Sequence, residues 1–214
     1  MDWNRIGVLG TGNVGRTLAA GLAAVGHDVR LGGRDPQRDE LVDWSAEIGV
    51  PVTDTATAAA DSDVVLLATA WDGTENALSL AGAGLDGTVL IDVTNPLVFD
   101  GRLKLAIGHD DSGGEQVQRW APGATVVKAF NTVGYELMVH PGFAEGQGTM
   151  FIAGDVAEAK AVAVRLANDL GWGTHDCGGL MAARLTEPLA MIWIEHAIAS
   201  GERRHVFRLH GASG

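Results

Sequence analysis

With 15 Lys and Arg against 27 Asp and Glu, this 214-residue chain has a formal net charge of −12, which opposes nucleic acid and anionic membranes as partners. Apolar residues make up 46% and charged ones 20%, as in soluble globular chains, and runs such as Val64 to Ala68 are far too short to span a bilayer. One cysteine, Cys177, leaves no internal disulfide and fits a reducing, cytoplasmic setting, and the opening apolar run reads as a strand, so no signal peptide is expected.

The first element is the most informative. Ile6 to Leu9 is a short apolar run that enters Gly10, Thr11, Gly12, Asn13, Val14 and Gly15, then leaves into an Ala- and Leu-rich helix, Asn13 to Val25. Strand, glycine turn and helix in that order form the dinucleotide-binding fingerprint. Gly10 allows the tight turn, Gly12 lets backbone approach a pyrophosphate, and Gly15 lets helix pack on strand. The helix start adds unpaired N–H groups and a positive dipole end.

A second strand, Asp28 to Leu31, runs into Gly32-Gly33-Arg34-Asp35, with Arg38 one helical turn further on. An NAD site places an acid there for the ribose 2′-hydroxyl. Arginines suit a 2′-phosphate instead, because a guanidinium grips it through two charge-assisted hydrogen bonds. The expected cofactor is NADP(H), with Asp35 the nearby residue that argues for NAD.

Pro36 opens a second helix reaching Ile48, which Gly49 and Pro51 end. Val52-Thr53 reads as a short strand, Thr55 to Ala60 as a helical turn, Asp63 to Thr69 as a buried strand, Thr74 to Ala81 as a helix and Thr88 to Val93 as a strand. Thr94 to Gly114, rich in Gly, Asp and Pro, shows no clear period. There follow helix Glu115 to Trp120, strands Thr125 to Phe130 and Met150 to Ala153, and amphipathic helix Val156 to Leu170. A short strand near Thr174 and the long apolar helix Met181 to Ala199 complete the chain. This alternation predicts an α/β fold with a Rossmann-type, doubly wound, mostly parallel sheet. Residues 1–214 read as one domain, the part from about 150 being a small C-terminal extension that packs on the sheet and completes a second pocket.

In such sheets ligands bind beyond the carboxyl ends of the strands. The exits are Thr69-Ala70-Trp71, Asp92-Val-Thr-Asn-Pro96 and Ala129-Phe-Asn-Thr132. Trp71 reads equally as a cover for a ring and as plain packing, and Asn95-Pro96 as cofactor contact or as a turn. No catalytic residue is expected. Tyr135, the only tyrosine, has no lysine four residues on; Lys128 and His140 are the nearest candidates for acid or base work, but Lys128 reads as easily as packing its stem against the sheet edge, and His140 more readily as surface. No metal site is expected, since His109, His196, His205 and His210 lack ligand spacing, and Cys177 reads as a buried, inert thiol. Reducing a carbonyl needs a proton donor, whereas hydride transfer to a flavin-like ring needs two stacked rings and no water.

Gly10 to Gly15 with Gly33-Arg34, Asp92-Val-Thr-Asn-Pro96, Val127-Lys-Ala-Phe-Asn-Thr132, Ala153-Gly-Asp155 and Gly179 to Glu187 together resemble the NADP-dependent oxidoreductases of coenzyme F420. The nucleotide domain of the six-transmembrane ferric reductases is similar. The resemblance runs from about Arg5 to Ala199. It implies that Thr11 to Val14 hold the pyrophosphate, that Gly33, Arg34 and Arg38 hold the 2′-phosphate, and that Trp71, Asn95, Pro96, Leu97 and Asn131 border ribose and nicotinamide. It also implies that Gly179 to Glu187 line the side of a second ring, coenzyme F420 or FMN/FAD. There Arg184 and Glu187 read first as a mutual salt bridge.

The chain departs from the family pattern at Gly33, where Ser or Thr is frequent, and over Val98 to Gly114, whose acids would repel an anionic coenzyme tail. Two other readings stay open: a non-catalytic NADP(H)-binding sensor, and an imine or carbonyl reductase of pyrroline-5-carboxylate reductase type. The last helix, with Leu185, Leu189, Ile192, Trp193 and His196 on one stripe, buries against the sheet or a second subunit, so a homodimer is expected.

Overall fold

The computed structural model describes residues 4–143 and 146–211. In chain order its elements are β1 (Arg5–Leu9), α1 (Asn13–Ala24), β2 (Asp28–Gly33), α2 (Asp39–Ile48), β3 (Val52–Asp54), α3 (Thr55–Ala60), β4 (Val64–Leu67), α4 (Trp71–Ala81) and β5 (Val89–Asp92). A hairpin of β6 (Leu97–Phe99) and β7 (Leu103–Leu105) follows, then α5 (Gly113–Trp120), β8 (Thr125–Lys128), β9 (Thr149–Gly154), α6 (Ala157–Asp169), β10 (Gly173–Asp176) and α7 (Ala183–Ser200).

Eight strands form one sheet in the order β10-β9-β8-β5-β4-β1-β2-β3. Only the β8–β9 junction is antiparallel. β1 and β4 are buried on both faces, which is why they read as unbroken apolar runs rather than as alternation. Side chains of β1 still divide between faces: Ile6 and Val8 join the core under α1 and α6, and Leu9 joins the core under α4 and α5. Strand order reverses between β1 and β4, so their carboxyl ends diverge and leave a crevice.

The local chemistry explains most helix boundaries. Asp54 caps α3 by accepting from the Thr57 N–H at 2.9 Å, and the Ser112 hydroxyl caps α5 by accepting from the Glu115 N–H at 3.1 Å. Two starts differ by three residues from the sequence expectation, the others by two or fewer. α2 begins at Asp39 because Pro36-Gln37 form a turn and Arg38 takes the cap position. α4 begins already at Trp71, where the Thr74 hydroxyl donates back to the Ala70 carbonyl at 3.1 Å.

The patternless stretch after Thr94 holds the β6–β7 hairpin. Leu97, Val98 and Phe99 pair with Leu105, Lys104 and Leu103 across a turn in which Gly101 has φ +70°. α7 packs on α5 and β7, and reaches the sheet through Glu187. Its C-terminal continuation folds back: the Trp193 indole N–H donates to the His205 carbonyl at 2.8 Å, and the two rings stack at 4.6 Å. Among the described residues no helix is long and apolar enough to cross a membrane.

Candidate functional site

The crevice is built on glycine geometry. Gly10 sits at φ +122°, and a Cβ there would lie 2.4 Å from the Ala68 carbonyl oxygen; a Cβ on Gly15 would lie 1.8 Å from that of Gly10. Neither position accepts a side chain without moving backbone. Gly12 differs, because its Cβ would meet nothing within 4 Å. It caps α1 with no side-chain hydrogen bond, so the first N–H groups of a 12-residue helix open toward solvent beside it.

Two cavities adjoin this turn. The smaller, about 480 Å³, is lined by Gly10, Thr11, Gly12, Gly33 and Arg34 on one side and by Thr69, Ala70, Asp72 and Asn76 on the other. Arg34 is exposed and makes no ion pair among the described residues. The larger, about 640 Å³, lies over the ends of β4, β5 and β8 and is walled by Val14, Trp71, Asn95, Asn131 and the hairpin residues Leu97, Val98, Phe99 and Leu103. Its volume falls within the range of small-molecule sites, roughly 300–1,000 Å³.

The floor of the larger cavity is a polar lattice. The Asn95 side-chain amide donates to the Asn131 carbonyl at 2.8 Å, and that of Asn131 donates to Asn95 Oδ1 at 3.0 Å and to the Thr186 carbonyl at 3.1 Å. These bonds fix the amide orientation and leave Asn131 Oδ1 buried with no partner among the described residues. An acceptor left so costs about 1–3 kcal/mol unless a ligand supplies an N–H. Phe130, just before it, holds φ +63°, a strained conformation for an aromatic residue, and its N–H reaches only the Met150 sulfur at 3.1 Å.

Below this floor lies a fully buried ion network. Lys128 Nζ sits 2.8 Å from Asp92 Oδ2 and 2.9 Å from Glu187 Oε1, and it also donates to the Thr94 carbonyl. The remaining oxygens are occupied too. Asp92 Oδ1 accepts from the Thr94 N–H and hydroxyl at 2.9 and 2.7 Å, and Glu187 accepts the N–H groups of Gly113 and Gly114 at 2.9 and 3.0 Å. Burial pushes the Lys128 ammonium down, but Asp92 and Glu187 outweigh it and hold the group above the usual lysine value.

Most of the expected site residues converge on these walls: Gly10, Thr11, Gly12, Val14, Gly33, Arg34, Thr69, Ala70, Trp71, Asn95, Leu97 and Asn131. Others do not. Ala129 is fully buried behind the wall, Pro96 is buried against Gly113, Asn13 is exposed on the first turn of α1, and Arg38 points toward Glu40 at 4.0 Å. Trp71 both lines the cavity and packs on Trp120, with ring centroids 5.3 Å apart.

Three readings of single residues are corrected. Arg184 pairs with Glu115 at 2.6 Å rather than with Glu187, because α7 packs on α5 and Glu187 is already engaged by Lys128 and the N–H groups of Gly113 and Gly114. That pair holds the Glu115 carboxyl below its usual range. Lys128 lies on an interior strand, not at the sheet edge. Cys177 is half-buried rather than buried, with its thiol pushed up chiefly by desolvation.

The sequence reading missed Asp72, Asn76, Val98, Phe99, Leu103, Val133 and Met138. For the hairpin members the signal was present: two β-type runs flank Asp100-Gly101. Val133 and Met138 sit in irregular chain and carried none.

The family model for NADP oxidoreductases, coenzyme F420-dependent, matches residues 5–96. The crystal structure of a candidate F420-dependent NADP reductase from Arthrobacter sp. FB24 is similar over 98% of this chain and 100% of that one, at 38% identity and a TM-score of 0.91. The chain belongs to this family. As an NADP oxidoreductase of the F420-dependent family, it is also 28% identical to the F420-dependent NADP reductase of Methanothermobacter marburgensis, over 96% of its own length and 97% of that protein. The rat metalloreductase STEAP3 is 31% identical over 87% of this chain, which spans 36% of the length of that relative.

Proposed function

We propose that this family member binds NADP(H) across the glycine turn and passes a hydride between the nicotinamide and a deazaflavin or flavin ring held in the larger cavity. One observation carries the reading. Among the described residues lining that cavity there is no Lys, His, Tyr or Cys, and the only titratable side chain is Asp72 at the rim. A site for carbonyl reduction requires a donor for the developing alkoxide, whereas a conjugated ring delocalises its own charge.

NADPH, when bound, supplies the hydride. The chain's part is binding, orientation and exclusion of water. Thr11 to Val14 and the positive end of α1 face the pyrophosphate, with Gly12 leaving the approach open. The unpaired guanidinium of Arg34 takes the 2′-phosphate, with Arg38 on the next turn and Gly33 offering backbone only. Asn131 Oδ1 accepts the carboxamide N–H that its surroundings withhold, and Asn95 and Thr94 hold Asn131 and the loop in place. Trp71 and Leu97 to Phe99 cover the second ring, while Pro96 and Ala129 support the wall from behind.

A homodimer through α7 belongs to the same proposal. It is supported by the exposure of Leu185 and Ile192 on α7 and of Met181 in the turn just before it, each more than 60% accessible.

The test is anaerobic mixing of NADPH with 5-deazariboflavin or FMN. The reading expects loss of nicotinamide and ring absorbance in equal amounts. An enzyme that binds NADPH and reduces no ring of either type overturns it.

A further inference from the structure

The two cavities differ in charge as well as shape. Asp72 lies on the wall of both; the smaller adds a helix N-terminus and Arg34, which makes no ion pair among the described residues, whereas the wall of the larger adds no further charged residue. Hairpin residues Leu97, Val98, Phe99 and Leu103 form the outer wall, with Phe99 78% accessible at the mouth.

Three of the neighbouring cations are already engaged. Lys104 pairs with Asp100 at 2.7 Å, Arg119 with Asp111 at 2.5 Å, and Arg184 with Glu115 at 2.6 Å. Arg102 stands at the hairpin tip, off the cavity wall. Over residues 98–114 three acids (Asp100, Asp110, Asp111) face two bases (Arg102, Lys104), a balance of 2 − 3 = −1.

Resting on the proposed hydride transfer, we infer that the acceptor is a ring whose side chain bears no phosphate or other anion, a riboflavin-type rather than a nucleotide-type acceptor. The second substrate enters past an apolar rim and one carboxylate, with no cation to receive a charged tail. In the transfer itself the C4–H bond of NADPH breaks with its electron pair. That pair forms an N–H bond at N5 of a flavin, or a C–H bond at C5 of a deazaflavin. NADPH is oxidised to NADP⁺, the ring is reduced by two electrons, and a solvent proton at N1 of the ring completes the balance. None of this requires the tail.

A doubly charged phosphate near Asp72 at water-like dielectric lowers association by about fivefold or more. The experiment compares kcat/KM, at saturating NADPH, for riboflavin against FMN and for 5-deazariboflavin against its 5′-phosphate. Ring chemistry cancels within each pair. The expected result is a preference of about fivefold for the uncharged member of both pairs, shrinking toward unity in high salt as the charges are screened. Asp72→Asn and Phe99→Lys are expected to narrow both ratios severalfold, whatever happens to the absolute rates.

Equal or better use of the phosphorylated compounds overturns the inference and leaves hydride transfer standing. Ratios unmoved by both substitutions also overturn it, because the discrimination would then lie elsewhere. If NADPH binds and none of the four compounds is reduced, the ring-acceptor reading falls and the inference falls with it.

Discussion

Arg34 and Asp35 are neighbours at the end of β2, yet only the guanidinium reaches the wall of the smaller cavity. One residue of difference in direction is what turns an ambiguous Arg-Asp pair into a site suited to a 2′-phosphate. Removing that side chain deletes charge-assisted bonds worth about 1.5–3 kcal/mol, roughly a 10- to 100-fold loss of affinity. Calorimetric titration of Arg34→Ala should show this loss for NADPH and a change under about threefold for NADH, which lacks the phosphate. Equal weakening of both nucleotides would contradict the assignment.

Lys128 shows the opposite limit of legibility. Its place in a strand pattern was plain, but its partner Asp92 lies 36 residues away and Glu187 comes from the last helix, so no local signal announced the network. Its pKa is raised in the folded state. The stabilisation it gives is therefore complete below the ordinary lysine value and is lost only as pH rises through the folded value, well outside the neutral range. Lys128→Met strands two buried carboxylates and should lower unfolding free energy by about 3–5 kcal/mol in denaturant titrations. The double change with Glu187→Gln should recover part of that cost.

At the scale of elements, strands and long helices were readable because burial imposes its period directly on the sequence. The failures sit where period is short or absent. The β6–β7 hairpin pairs three residues on each side, too few for alternation to stand out against a Gly- and Asp-rich background. α4 starts three residues before Thr74 because a threonine hydroxyl, not an Asp or Ser cap, stabilises its first turn.

The amino ends of β1 and β4 are joined by another contact the sequence did not announce. Arg5 Nη2 meets Asp63 Oδ1 at 2.6 Å, and the Arg5 guanidinium is the main reason the Asp63 carboxyl is held down at about 2. With a folded pKa below the unfolded one, the pair's contribution is present above about pH 4 and fades as pH falls toward 2. Solvent screening keeps it near 1 kcal/mol. Thermal melts of Asp63→Asn should lie about 2–4 °C below the parent at neutral pH and converge with it near the folded pKa. A constant gap at all pH values would mean the aspartate acts through packing rather than charge.

For the whole molecule, the doubly wound topology followed from one fingerprint and its alternation. The second cavity was legible only in part: Trp71, Asn95, Leu97 and Asn131 line it as expected, but among the described residues much of its remaining wall comes from a hairpin and an irregular segment that meet only in space, with none from the part beyond about 150. In a chain with net charge −12, Arg34 stands on the wall of one cavity, and no cation among the described residues lines the other. The lack of a Lys, His, Tyr or Cys among the described residues lining the second cavity is the physical basis for proposing ring-to-ring hydride transfer.

The measurement that bears on it most directly is single-turnover transfer to 5-deazariboflavin from NADPH deuterated at both C4 positions, followed across about pH 6 to 8. The account predicts that the label appears at C5 of the ring and that the transfer rate is flat with pH. A rate that changes tenfold per pH unit, the mark of a protein group donating a proton in the transfer step, would contradict it, as would a reduced ring without the label.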